Sequence, residues 1–229
     1  MDKSDTIVWQ IPLAVSHDEL NACRNLLSEE EHARAKRFHF DWLERRFAVA
    51  HGRMRTILAQ HTGVPAKELT YRNTEYGKPF LDGSLNTYFN LSHSGELAIL
   101  AIAATDLGAD VEFIRPMDDF EKVAEGFFSE HEVAALREYP QAERLRAFYR
   151  CWTRKEAFVK AIGEGLSIPL GSFAVSLDEH NAVLLQANPP KRAEGWTILA
   201  LDLGSDYVGA VAMRGPGTLK TRWWNGELP

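Results

Sequence analysis

Cysteine is scarce in this 229-residue sequence, which holds only Cys23 and Cys151. Two thiols so far apart do not make a disulfide framework; they read as free thiols in a reducing compartment, and a cytoplasmic location is expected. Long apolar runs are missing as well. The longest, around Leu97 to Ala104, falls far short of the ~20 residues a membrane-spanning helix requires, so no membrane segment is expected. The opening residues, Met1-Asp2-Lys3-Ser4-Asp5, are polar and lead directly into strand-like Ile7-Val8-Trp9. The apolar core of a secretory signal is therefore lacking, and export is not expected. Net positive charge is lacking too: the formal balance of −6 argues against a broad basic face that coats nucleic acid, so any phosphate binding must be local.

What is present is the composition of an ordinary globular protein, 45% hydrophobic and 25% charged, on a chain long enough for one sizeable core or two smaller ones sharing an interface. The positive charge is clumped. Arg34, Lys36, Arg37, Arg45, Arg46, Arg53 and Arg55 all fall in one helical stretch.

Two halves show the same rhythm. The first opens with a strand over Thr6 to Leu13. Ser28-Glu29-Glu30-Glu31 then offers a capping-box start to a long helical region that runs to about Gln60. Phe47, Ala50, Met54, Ile57 and Leu58 recur there at spacings of three and four, which buries one stripe and leaves arginines on other faces. Gly63-Val64-Pro65 stops it. A short strand near Leu69 to Arg72 and the turn Tyr76-Gly77-Lys78-Pro79 follow. Strands over Thr87 to Leu91 and Leu97 to Ala103 are expected to form a hairpin joined by the loop Ser92-His93-Ser94-Gly95. The second half begins with a strand over Leu107 to Phe113. Helices are expected near Met117 to Glu125, Ser129 to Arg137 and Gln141 to Ile162, then strands near Phe173 to Leu177 and Val183 to Leu185. A hairpin of Trp196 to Leu203 and Tyr207 to Met213 closes the pattern. The order of elements nearly repeats, so the fold class is α+β, with two similar halves, 1–105 and 106–229, and a ligand site in the cleft between them.

Asp110 and Glu112 lie two residues apart in an apolar strand, so both carboxylates stand on one face, about 7 Å apart. Like charges on a buried strand resist ionising unless a cation sits between them, and magnesium takes oxygen ligands while keeping room for phosphates. An edge strand with its acidic face in water shows the same pattern. In Trp152-Thr153-Arg154-Lys155-Glu156, helical spacing lines up Trp152, Glu156 and Lys160 one turn apart. A surface ion pair explains Glu156 and Lys160 equally well, but the apolar residues around that helix leave little of it free. Asn90-Leu91-Ser92-His93-Ser94-Gly95 sets a histidine and two hydroxyls at a strand end, suited to phosphate, and a plain turn fits it too. Lys78 matters only if its turn folds toward the same cleft. Phe120, Phe127 and Phe128 suit either an apolar docking surface or core packing. Trp223 and Trp224 suit either a docking patch or the closing of a small sheet.

Taken in order, several motifs resemble the 4'-phosphopantetheinyl transferase superfamily, in its long monomeric class of the surfactin-synthetase-activating type. They are Lys36-Arg37-Phe38 with Arg46, Tyr76-Gly77-Lys78-Pro79, Phe89-Asn90-Leu91-Ser92-His93-Ser94, Gly108-Ala109-Asp110-Val111-Glu112, Phe127-Phe128-Ser129, and Trp152-Thr153-Arg154-Lys155-Glu156 with Lys160. The resemblance implies two α+β halves related by a pseudo-twofold axis, with coenzyme A and magnesium in the cleft. It implies that Asp110, Glu112 and Glu156 hold the metal, and that Arg46, Lys78, Ser92 and His93 contact the adenosine and 3'-phosphate end of the donor. Lys155 and Lys160 would reach the pyrophosphate. The implied reaction transfers phosphopantetheine to a serine of an apo acyl or peptidyl carrier protein, with Glu156 as the candidate base and Lys160 as its cationic companion. Two departures stand out: Ala109 replaces a usual branched apolar residue, and Arg34 and Lys36 are the basic residues available upstream of the Arg37-Phe38 pair. Two other readings share these residues: a non-catalytic coenzyme A or nucleotide-binding module, and a magnesium-dependent nucleotide hydrolase.

Overall fold

Strand β6, Leu107–Phe113, forms over the span its alternation predicts, in a computed structural model that describes residues 5–83 and 87–226. The polar opening Met1 to Ser4 lies outside the described residues. The other elements, in order, are β1 (Asp5–Pro12), α1 (His17–Arg24), α2 (Glu29–Ala35), α3 (Asp41–Thr62), β2 (Tyr71–Asn73), β3 (Pro79–Leu81), β4 (Tyr88–Ser94) and β5 (Leu97–Ala103). After β6 come α4 (Phe120–Phe127), α5 (Glu130–Glu138), α6 (Gln141–Ile162), β7 (Phe173–Val175), β8 (Leu184–Ala187), β9 (Trp196–Leu201), β10 (Tyr207–Arg214) and β11 (Thr218–Trp223). The fold is a mixed α+β one.

One sheet runs β11-β1-β5-β4 and another runs β6-β10-β9. Strand alternation sends side chains to two different cores. Val8, Ile99 and Ala101 of the first sheet meet Ala109, Val111 and Val211 of the second, so the sheets share a buried layer. The opposite faces carry the helices: Trp9, Ile11 and Leu100 pack with Met54, Ile57 and Leu58 of α3, while Ala210 and Ala212 pack with Phe148, Ala157 and Phe158 of α6. Both long helices have 22 residues and end on a left-handed glycine, Gly63 and Gly163.

Gly108 decides how closely β6 and α6 approach. A Cβ there would lie 2.2 Å from the Ala161 nitrogen and 2.3 Å from the Ala157 oxygen, both backbone atoms that cannot rotate aside. Gly108→Ala is expected to destabilise the protein by about 1–3 kcal/mol in urea unfolding, because the strand and helix must separate.

Several expectations are corrected. The region from Ser28 to Gln60 is two helices, not one, broken after Ala35 so that α2 folds back on α3. Glu31 is the reason. Its Oε1 lies 2.9 Å from His51 Nδ1, its Oε2 accepts from Arg55 Nε at 2.6 Å, and the capping box with Ser28 also forms. Helix α1 was missed because eight residues carry little periodicity, although Ser16 and Glu19 form a capping box there. Ser92, His93 and Ser94 belong to strand β4 rather than a loop; the turn comes at Gly95, where φ is +56°. No strand was expected after Met213, yet Thr218–Trp223, counted from sequence in the second half, forms β11 and pairs in parallel with β1. Trp224 is buried against Trp9 and closes that sheet, while Trp223 is 58% exposed.

Burial opposes ionisation of Glu31, but hydrogen bonds from His51, the Ser28 amide and Arg55 outweigh it and hold the carboxyl at about 2. A depressed carboxyl contributes stability that is complete above its unfolded value and lost as pH falls toward its folded one. Thermal melts should therefore fall between about pH 4.5 and pH 2. Glu31→Gln is expected to flatten that acid limb and to cost about 2 kcal/mol at neutral pH.

Candidate active site

The site lies where β4 and β6 run side by side without backbone pairing between them. Side chains make the join. Asn90, Ser92 and Ser94 alternate along one face of β4. Asn90 Oδ1 accepts from the Ala109 amide at 2.8 Å, Ser92 Oγ donates to Asp110 Oδ1 at 2.9 Å, and Ser94 Oγ donates to Glu112 Oε2 at 2.7 Å. From sequence both hydroxyls, Ser92 and Ser94, were offered to a phosphate and Asn90 was assigned nothing, although the period-two spacing of all three was readable.

From α6, Lys160 Nζ donates to Asp110 Oδ1 at 2.6 Å and to Ser92 Oγ at 3.1 Å. Trp152, Glu156 and Lys160 form the half-buried line on an otherwise largely buried stretch of helix, so the one-turn spacing read from sequence does define the open face. Lys160 pairs with Asp110 rather than with Glu156. Among the described residues the Glu156 carboxylate accepts no hydrogen bond.

Burial pushes all three carboxyls up. Asp110 is raised by burial against the pull of Lys160 and Ser92, Glu112 by burial and then Asp110, and Glu156 by burial and then the charges of Asp110 and Glu112. The three are thus close enough to feel one another. One oxygen, Asp110 Oδ2, is buried and has no hydrogen-bond partner. Among the described residues no group of three or more His, Cys, Asp or Glu side chains already converges as a metal cage.

A cavity of about 310 Å3 opens beside Glu156 and Lys160, walled by Tyr76, Pro79, Asn90, Val159, Ile168 and Leu170. A hollow of about 440 Å3 beside Thr74, Phe80 and Tyr88 shares Lys78 and Pro79 with it but not Glu156. Lys78 does fold toward the cleft, but its ammonium donates to the carbonyls of Leu107 (2.9 Å) and Ala161 (2.8 Å), so it ties the turn to β6 and α6. Burial holds it below the usual lysine range. Its ammonium is thus engaged by the protein's own backbone, although the residue lines the cavity.

His93 is an exposed residue of β4. Its imidazole is pushed below the usual range, first by partial loss of hydration and then by the charges of His51, Lys160, Arg46 and Arg34. Arg46 lies over the Trp42 ring and pairs with Glu96, and Arg34 lies over Phe47. Such a concentration of positive charge in an acidic protein suits a phosphate.

Lys155 is not part of this site. One residue from Glu156 is a 100° step around the helix, which turns Lys155 into the core. It is fully buried, 2.7 Å from Glu132 and donating to the carbonyls of Leu170 (2.8 Å) and Phe173 (2.6 Å). Phe120 and Phe128 are buried beside Phe148, as core packing requires, whereas Phe127 is 52% exposed. Cys23 and Cys151 are both free and buried. Among the described residues no helix is long and apolar enough to cross a membrane.

Comparison with known proteins adds an independent line. The model of the 4'-phosphopantetheinyl transferase superfamily matches residues 106–212, and that of the 4'-phosphopantetheinyl transferase N-terminal family matches residues 13–105. The chain is 35% identical over 222 residues to the 4'-phosphopantetheinyl transferase HetI of Nostoc sp., covering 94% of this chain and 90% of that one. It is 37% identical over 154 residues to the transferase gsp of Aneurinibacillus migulanus, covering 67% and 62%. Against Sfp of Bacillus subtilis the figures are 29% over 172 residues, 75% and 76%.

Proposed function

Because the chain belongs to the 4'-phosphopantetheinyl transferase superfamily, in its Sfp-like class, we propose that it moves the phosphopantetheine arm of coenzyme A onto a serine of an apo acyl or peptidyl carrier protein. The other product is adenosine 3',5'-bisphosphate. The observation that supports this reading is that Glu156 and Lys160 line one cavity while Lys160 donates to Asp110, and the charges of Asp110 and Glu112 both act on Glu156.

An all-oxygen donor set, reluctant to ionise and with Asp110 Oδ2 left without a partner, fits a hard divalent cation. We assign Asp110, Glu112 and Glu156 to magnesium. When bound, it neutralises the pyrophosphate and so eases displacement at phosphorus.

The chain's own groups do the rest. The walls at Tyr76, Lys78 and Pro79 take the adenosine end of the donor. Arg46 and His93 hold its 3'-phosphate, and Ser92, which accepts from Lys160, fixes that lysine. The Lys160 ammonium turns from Asp110 to the pyrophosphate and shields the charge that builds there. A serine hydroxyl is a poor nucleophile at neutral pH, so its proton must be taken as it attacks. Glu156 is our candidate for this, supported by its position at the cavity and by a carboxylate that accepts no hydrogen bond among the described residues.

The strand orders β4-β5-β1 and β9-β10-β6, each backed by a 22-residue helix, support a pseudo-twofold relation between halves 1–105 and 106–229, with β11 as an addition to the first sheet. We take the protein to act as a cytoplasmic monomer. Chromatography of the nucleotide product tests the reaction: adenosine 3',5'-bisphosphate should appear only when coenzyme A and an apo carrier protein are both present. Steady release without a carrier would make the chain a hydrolase, and binding of coenzyme A with no release would make it a binding module.

A further inference from the structure

The arginine best placed for the donor's terminal phosphate is already engaged by a carboxylate of the same protein. Arg46 presents both Nε (3.1 Å) and Nη2 to Glu96 Oε1, so the edge of the guanidinium that a phosphate would use is taken. The two partners are unequally held. The Arg46 side chain is 24% exposed and is kept in place by the Trp42 ring 4.6 Å beneath it, whereas the Glu96 side chain is 52% exposed. Glu96 also sits in the β4–β5 turn, three residues after His93, and its amide donates to the Tyr207 hydroxyl at 3.1 Å. The backbone is therefore anchored independently of the carboxylate, which is free to swing away.

We propose that Glu96 is a built-in competitor for the anion subsite: its carboxylate occupies Arg46 in the unliganded protein and is displaced by the donor's 3'-phosphate. This rests on the assignment of Arg46 and His93 to that phosphate. An exposed ion pair is weak and salt-screened, so it yields to a dianion flanked by His93, Arg34 and Lys160, yet it still lowers apparent affinity by the fraction of molecules in which the arginine is occupied. Glu96 thus sets how strongly the enzyme prefers donors that carry the phosphate over those that lack it. Trp42 holds the guanidinium plane while the partner changes.

The test is calorimetric binding of coenzyme A and of 3'-dephospho-coenzyme A to the full chain, for wild type, Glu96→Gln and Arg46→Ala, with melting temperatures to confirm folding. Glu96→Gln is expected to tighten coenzyme A binding by about three- to fivefold at low salt and to leave dephospho-coenzyme A binding unchanged. Arg46→Ala should weaken coenzyme A alone. If Arg46→Ala weakens coenzyme A but Glu96→Gln leaves it unchanged or weaker, the competitor role is wrong while the subsite stands. If Arg46→Ala has no effect, the subsite assignment itself fails. A raised KM for the carrier protein in Glu96→Gln, with donor binding unmoved, would place Glu96 on the acceptor side and overturn the proposal.

Discussion

Glu156→Gln is expected to lower the turnover number for transfer by about 10²–10⁴-fold at saturating magnesium, in a protein that remains folded. The size follows from the loss of a positioned proton acceptor. Glutamine keeps the shape of the side chain and an oxygen toward the cavity, but it cannot take the serine proton. The half-buried face that Glu156 shares with Trp152 and Lys160 tolerates the change, since among the described residues no hydrogen bond to the carboxylate is lost. Stopped-flow or quenched measurement of a single turnover reads the effect on chemistry directly. Full turnover in this variant would remove the base assignment and leave Glu156 only a place near the cation.

Lys155→Ala should have the largest effect on stability, about 3–5 kcal/mol in urea unfolding. Its ammonium and the Glu132 carboxylate are both completely buried, and the lysine also satisfies the carbonyls of Leu170 and Phe173. Removing it strands a charge that otherwise holds α5, α6 and β7 together. Glu132 would retain the amides of Val175 and Ser129 and the Ser129 hydroxyl, which is not enough to balance a buried negative charge. The KM for coenzyme A should stay near wild type. A raised KM with stability unchanged would instead make Lys155 a donor contact.

These neighbours show where the sequence was and was not sufficient. Alternation along Leu107–Phe113 located Asp110 and Glu112 because a strand has only two faces, and an apolar setting makes two acids on one of them conspicuous. A helix offers more directions. Spacing put Glu156 in line with Lys160 and suggested a pair between them, but nothing local revealed that Lys160 reaches across to Asp110, a residue 50 positions away. Lys155, which the resemblance assigns to the pyrophosphate, meets the same limit: its partner Glu132 belongs to another helix, and only the packing of α5 on α6 brings them together. Gly108 carried no signal in its own segment. Its role appears only when Ala157 and Ala161 are seen lying against it. The other strands of the two main sheets and long helix α6 were legible from periodicity, whereas the pairing of β1 with β5 and of β6 with β10 was not, nor was β11, whose parallel partner β1 lies more than 200 residues away.

The most direct test of the account is the intact mass of an apo carrier protein after incubation with this chain, coenzyme A and magnesium. Wild type should add one phosphopantetheine to the carrier serine, a variant of the carrier with that serine replaced by alanine should gain nothing, and Asp110→Asn should add it far more slowly than wild type. An unchanged carrier mass across acyl and peptidyl carriers, from folded protein that binds coenzyme A, would contradict the account.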